Sequence, residues 1–235
     1  AIGVEDHFFI TDRFRIDPMD AAYIIEPIEI DISEDRQTWL KKRKDDCATN
    51  ETVLIFDEII TGGRFPKMCA SAYYGIYPDL ICLGKGLANG MPISIVGGKK
   101  EIMDCGEWFC SGTFNGETLS LAALSATIDE LSKRDMNLLW ECGQRFIDKF
   151  NALCPEVQLR GYPTRCVWEG DELKRALLWQ EAVKVGILFG KAFFFNWELI
   201  QHTDFTLEVC REIFDRINRD AVKLEGNMPQ ESFKR

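Results

Sequence analysis

The feature that most limits what this chain can fold into is a set of short, β-branched apolar runs held between chain breakers. Ala21–Ile25 (AAYII), Val53–Phe56 (VLIF), Leu80–Leu83 (LICL) and Ile93–Val96 (ISIV) are apolar without alternation. Such runs predict strands buried on both faces of a sheet. Between the first two lies Glu34–Cys47, rich in helix formers behind a Ser33 cap candidate. A β-α-β unit is therefore expected, and with it an α/β fold whose parallel or mixed sheet carries helices on its faces. Gly62-Gly63, Pro78-Asp79 and Asn89-Gly90-Met91-Pro92 supply the turns between segments.

The pattern changes after Asn115. Leu119–Leu131 (LSLAALSATIDEL) is a small-residue-rich helix with apolar residues on more than one face, and is expected to be buried. Asp135–Leu153 reads as an amphipathic helix with Leu138, Leu139, Cys142, Phe146, Phe150 and Leu153 on one stripe. Short apolar runs follow at Val157–Leu159, Gly186–Phe189 and Phe193–Phe195, then a final helix over Asp204–Ile217 after His202-Thr203, and a frayed tail, NMPQESFKR. The expected division is a first domain over 1–131 and a smaller α+β domain over 132–235.

Composition narrows the function classes. Hydrophobic residues at 46% and charged residues at 28% suit a soluble globular protein. Lys and Arg number 28 against 38 Asp and Glu, a net charge of −10, which argues against nucleic acid or an anionic membrane as partner. No uncharged apolar run approaches the ~18 residues that span a bilayer, and AIGVEDHFFI lacks the basic start of a signal peptide. The nine cysteines are odd in number, scattered and without C-x-x-C. Reduced thiols in a cytoplasmic protein are expected. With only His7 and His202 in the chain, no Cys/His metal site is expected.

Three segments carry chemistry. Ile55-Phe56-Asp57-Glu58 ends a strand at the place where α/β proteins put ligands, although an ordinary strand-to-loop Asp fits the fragment equally. An apolar strand ending in Asp-Glu could also hold Mg²⁺ in a nucleotide hydrolase. That enzyme needs a G-x-x-x-x-G-K-[ST] loop, and Gly97-Gly98-Lys99-Lys100 has neither the spacing nor the hydroxyl. Leu83-Gly84-Lys85-Gly86 sets a lysine between glycines at the end of the next strand. A lysine partly withdrawn from water can act as a nucleophile, and a solvated turn lysine is the plainer alternative. Ser111-Gly112-Thr113-Phe114-Asn115-Gly116 offers hydroxyls and backbone N–H groups before a helix, which suits a phosphate group or a helix cap.

In order, FDEIITGGRF, PDLICLGKGLANGMPISIVGGKKEIMD and SGTFNGETLSLAAL resemble the class-III pyridoxal-phosphate-dependent aminotransferases, and within them the glutamate-1-semialdehyde aminomutase branch. The resemblance runs from about Ala21 to Leu131 and is traceable to residue 217. It implies a fold-type-I transferase, with 1–131 forming part of the large cofactor-binding domain and 132–235 the small C-terminal domain. It also implies pyridoxal 5'-phosphate as cofactor, a small amino or carbonyl compound as substrate, and a homodimer. Lys85 resembles the lysine that forms a Schiff base with the cofactor and then shuttles a proton. Asp57 resembles the carboxylate that pairs with the pyridine nitrogen, and Ile59 would pack on the ring face. Thr113 resembles the threonine that reaches the phosphate of the neighbouring subunit's cofactor. Glu26-Pro27 matches the family's Glu-Pro after an adjacent strand.

The chain departs from the family in places. Ile60 stands where many members carry Gln, a choice shared with the aminomutase-like branch. Gly116 is followed by Glu117-Thr118 where Asn-Pro is usual, and Phe193–Thr203 lacks the arginine with which many relatives bind an α-carboxylate. No counterpart of the phosphate cup, the ring-stacking aromatic or the N-terminal substrate segment is found. The expectation is a fragment, one half of a split enzyme, or a degenerate non-catalytic partner.

Overall fold

The computed structural model describes residues 16, 20–30, 32–104 and 112–226. The chain divides into two compact units, Ala1–Met136 and Asn137–Arg235. The division falls after the turn that joins two helices, beyond the expected boundary at 131.

In the first unit, β1 (Ala22–Ile25), β2 (Val53–Asp57), β3 (Leu80–Leu83) and β4 (Ile95–Gly98) form one sheet in that order. The first three strands are parallel and β4 runs antiparallel to β3, so the sheet is mixed as expected. Helix α1 (Glu34–Thr49) makes the crossover, and Ser33 caps it by accepting the N–H of Arg36 at 3.2 Å. Leu40 and Cys47 of α1 pack with Tyr23, Ile25, Leu54, Phe56 and Ile76. Each large apolar side chain buried there contributes roughly 1.5–3 kcal/mol.

The expectation of strands buried on both faces needs correction. Buried and half-buried residues alternate along β2, and all four residues of β3 are only half-buried. One face is covered by α1, and the other is covered only in part. Strand β4 also sits two residues later than expected, extending into Gly97-Gly98. A Cβ on Gly98 would strike the carbonyl of Asp79, so only glycine allows this approach.

Two short helices, α2 (Ala70–Tyr74) and α3 (Lys100–Met103), precede α4 (Thr118–Ser132). The segment expected to be a buried helix is helical but largely exposed. Ser120 is its one buried residue, while Leu119 is 62% and Leu121 46% exposed. The apolar residues run round the helix, and one packing contact covers only one side of such a cylinder.

The second unit sets the antiparallel sheet β5 (Val157–Tyr162), β6 (Arg165–Gly170) and β7 (Ala192–Phe193) with helices α5 (Met136–Asn151), α6 (Glu172–Lys184) and α7 (Trp197–Asn218). Its core is aromatic. Phe146 stacks on Phe193 with ring centres 5.1 Å apart, and Phe150 meets Trp168 at 5.7 Å and Phe214 at 6.0 Å. Leu138, expected on the apolar stripe, is instead exposed. Gly186–Phe189 forms no strand, and α7 begins at Trp197 because Asn196 caps it, so His202 and Thr203 lie inside the helix. The tail at 227–235 lies outside the described residues. Among the described residues, no helix is long and apolar enough to cross a membrane.

Candidate functional site

Parallel pairing brings the ends of β2 and β3 together. Asp57, the last residue of β2, lies opposite Cys82, three residues before Lys85. Both chains therefore leave the sheet at the carboxyl edge, where open α/β sheets bind ligands. The carboxylate of Asp57 is half-buried, and its Oδ1 accepts the backbone N–H of Ile59 at 3.0 Å. Its Oδ2 accepts no hydrogen bond among the described residues. The charge is felt next door: burial first, and Asp57 second, push the Cys82 thiol above its ordinary pKa.

Ile59 passes close to Gly84, where an added Cβ would lie 3.7 Å from its Cγ2 and 3.3 Å from the carbonyl of Ile93. Gly84 thus lets a side chain and a backbone converge immediately before the lysine. Lys85 opens a 3₁₀ turn over Lys85–Ala88 with a left-handed φ of 46°. Buried Leu87 and Ala88 anchor the turn, while Lys85 itself is exposed, with no hydrogen bond or ion pair among the described residues. A non-glycine residue held at positive φ is the kind of local strain that a surrounding structure must enforce.

The structure brings Asp57, Ile59 and Lys85 to one sheet edge. Glu26 follows β1 on that edge too, and Arg36 holds Glu26-Pro27 through their carbonyls at 2.8 and 2.9 Å. Ile60 is half-buried after Ile59, and its carbonyl accepts from Arg64. Thr113 stands exposed on the turn before α4 and makes no hydrogen bond among the described residues. It does not cap α4. Glu117 does, accepting the N–H groups of Leu119 at 2.8 Å and Ser120 at 2.7 Å. Ser111 lies outside the described residues.

Two residues near the site escaped sequence reasoning. Glu58 is completely buried behind Asp57, and Arg64 lays its guanidinium beside Gly86. The signal for Glu58 was the strand itself, since alternation turns neighbours to opposite faces. No sequence signal marked Arg64. A cavity of about 520 Å³ lies at the opposite ends of the strands, lined by Cys47, Thr52, Tyr77, Asp79 and Lys99 among others, and includes none of the candidate residues.

The family model described as aminotransferase class-III matches residues 12–219. Glutamate-1-semialdehyde 2,1-aminomutase 2 of Halalkalibacterium halodurans is 27% identical over 228 residues, covering 85% of this chain and 53% of that protein. Glutamate-1-semialdehyde 2,1-aminomutase of Archaeoglobus fulgidus is 43% identical over 143 residues, covering 58% of this chain and 32% of that protein. Among solved structures, the pyridoxal-phosphate form of FumI from Sphingopyxis sp. MTA144 matches with a TM-score of 0.77 at 21% identity, over 87% of this chain and 54% of FumI. The ornithine aminotransferase of Toxoplasma gondii matches with a TM-score of 0.73 at 23% identity, over 87% of this chain and 53% of that one. These likenesses show the fold. The chain spans 53% of the Halalkalibacterium relative's length and 54% of FumI's.

Proposed function

The chain belongs to the class-III aminotransferases, and from that premise we propose that it binds pyridoxal phosphate at the carboxyl edge of β2 and β3 and serves the movement of an amino group on a small amino or carbonyl compound. The single observation that carries this proposal is that a half-open carboxylate ends β2, while an amine with no ion pair among the described residues follows the end of the adjacent β3. One oxygen of Asp57 is fixed by Ile59 and the other is open, while Lys85 has no ion pair among the described residues.

The donor set fits the cofactor. When bound, pyridoxal phosphate supplies an electron-withdrawing ring that stabilises charge on the substrate carbon that loses its proton. The open Oδ2 of Asp57 would accept the pyridine N–H, and its negative charge favours the protonated nitrogen. Ile59, held against Gly84, offers an apolar surface for the ring face. Nζ of Lys85 would hold the cofactor covalently and, once released by an amino substrate, carry a proton at that nitrogen. Thr113, with no hydrogen-bond partner among the described residues, would reach the phosphate of a second subunit's cofactor, making the working unit a homodimer. The exposed apolar residues of α4 support that assembly.

The substrate chemistry we favour is that of the aminomutases that the chain resembles, and Ile60 supports that branch. A cytoplasmic location fits the seven described cysteines, all free. Family membership removes the nucleotide-hydrolase alternative.

Borohydride reduction of the cofactor-loaded chain, followed by peptide mapping, tests this proposal. A phosphopyridoxyl group on Lys85 is the expected result. Labelling at another lysine, or none, would refute cofactor attachment at Lys85.

A further inference from the structure

Glu58 immediately follows Asp57, the last residue of β2, and is buried where Asp57 is half-buried. Its exposure is 0%. A carboxylate withdrawn wholly from water is costly unless hydrogen bonds surround it. Glu58 collects three. The hydroxyl of Thr61 donates to Oε2 at 2.7 Å, the N–H of Ala70 donates to Oε2 at 2.6 Å, and the N–H of Ser71 donates to Oε1 at 2.8 Å. All three partners donate, so a side chain with two acceptor oxygens matches the set, and an amide of the same size would turn an NH₂ toward at least one donor.

The partners lie at the two ends of one loop. The chain leaves the sheet after Asp57 and enters α2 at Ala70, so Glu58 closes the loop over 59–69 at its mouth. The N–H of Gly62 donates to the Glu58 carbonyl at 2.8 Å, and that of Gly63 to the Met68 carbonyl at 2.7 Å, tightening the loop from within. The loop then reaches the lysine turn through Arg64. This guanidinium donates to the Ile60 carbonyl and lies so close to Gly86 that a Cβ there would sit 3.4 Å from Nη2. Gly86 immediately follows Lys85.

We propose that Glu58 is a positioning residue that, by closing the 59–69 loop, holds the Asp57 strand end and the Lys85 turn in one fixed arrangement for the cofactor. The inference rests on the cofactor site proposed above. Its physical content is that a strand end and the turn after the neighbouring strand share one fastening. Asp57 lies beside the anchor, and Lys85 lies at the far end of the span that Arg64 makes. If the loop slackened, Arg64 would lose its place beside Gly86, and the left-handed turn at Lys85 would lose a neighbour that holds it.

The test is Glu58→Gln in the full chain, with amide hydrogen exchange measured without cofactor and cofactor affinity measured alongside. Gln keeps the size but presents an NH₂ to at least one backbone N–H. Exchange at Ala70 and Ser71 should rise about tenfold or more, as expected for a lost charge-assisted bond. The rise should extend to the amides of Leu87 and Asn89 in the lysine turn, and the cofactor Kd should rise about tenfold. Faster exchange confined to Ala70 and Ser71, with Leu87 and Asn89 unchanged, would overturn the proposal and leave Glu58 a local staple. If the wild-type chain takes no label at Lys85, the cofactor site is refuted, and the exchange data still decide whether Glu58 holds the lysine turn. Should Glu58→Gln fail to fold, Thr61→Val removes one of the three bonds. It should give the same pattern at smaller amplitude, and no change at Leu87 would overturn the proposal.

Discussion

The backbone N–H of Ile59 donates to Oδ1 of Asp57 at 3.0 Å, two residues back along the chain. This turn fixes the carboxylate's plane and leaves Oδ2 as the oxygen that can meet a ligand. Asp57→Asn retains an acceptor for Ile59 while removing the charge. Activity should fall about a hundredfold, the scale of losing one preorganised electrostatic partner. The thermal midpoint of the cofactor-free chain should stay within about 2 °C of wild type, given that exposed or neutral changes alter stability little. A large drop in that midpoint would show that the charge serves the fold.

Lys85 holds φ at 46° without a glycine's freedom. Asparagine tolerates this region better than other side chains, because its short polar group bonds locally. Without cofactor, Lys85→Asn should therefore be more stable than Lys85→Ala by about 0.5–1 kcal/mol. Equal denaturation midpoints would mean that the turn is unstrained.

Gly62 is constrained by contact. A Cβ there would lie 2.9 Å from the Glu58 carbonyl and 2.9 Å from Cδ2 of Leu83. Gly62→Ala should cost roughly 1–3 kcal/mol, the usual penalty of overpacking. Urea denaturation followed by the fluorescence of the first unit would measure it.

Glu181 in α6 is 5% exposed and accepts from Lys184 at 2.6 Å and Arg216 at 2.8 Å. Hydrogen bonds from Lys184 and Gln180 lower its pKa from 4.5 to about 2. A carboxylate with a depressed folded pKa adds stability above its unfolded pKa and loses it as pH falls through the folded value. The contribution should be complete above pH 5 and fade between about 4.5 and 2. Glu181→Gln should destabilise the chain by about 1–3 kcal/mol at pH 7, with the difference from wild type shrinking through that window. A difference independent of pH would assign the loss to packing.

Leu119 and Leu121 of α4 are 62% and 46% exposed, beside Phe114 at 76%. If these exposed residues meet a second copy, Leu119→Asp with Leu121→Asp should convert dimer to monomer in sedimentation at micromolar concentration, and cofactor affinity should fall with it. Thr113→Ala should weaken cofactor binding about tenfold or more without changing the assembly. A wild-type monomer that holds cofactor tightly would refute the shared site.

What the sequence determined by itself was local. The apolar runs marked β1, β2 and β3 nearly to the residue, since strand burial is written as side-chain type along a few consecutive positions. The same locality exposed Asp57 and Lys85 at strand ends, and the ordered motifs joined them into one family resemblance, which added Ile59. The antiparallel pair β5–β6, helix α6 and the early start of α7 left weaker traces, because mixed apolar and charged residues there take their roles from packing. Only the tertiary structure decided the fate of Glu58, whose partners Ala70 and Ser71 lie 12 and 13 residues away. It alone laid Arg64 beside Gly86 and left most of α4 exposed. Contacts such as these depend on where a loop closes and on what covers a face, and periodicity along a chain records neither.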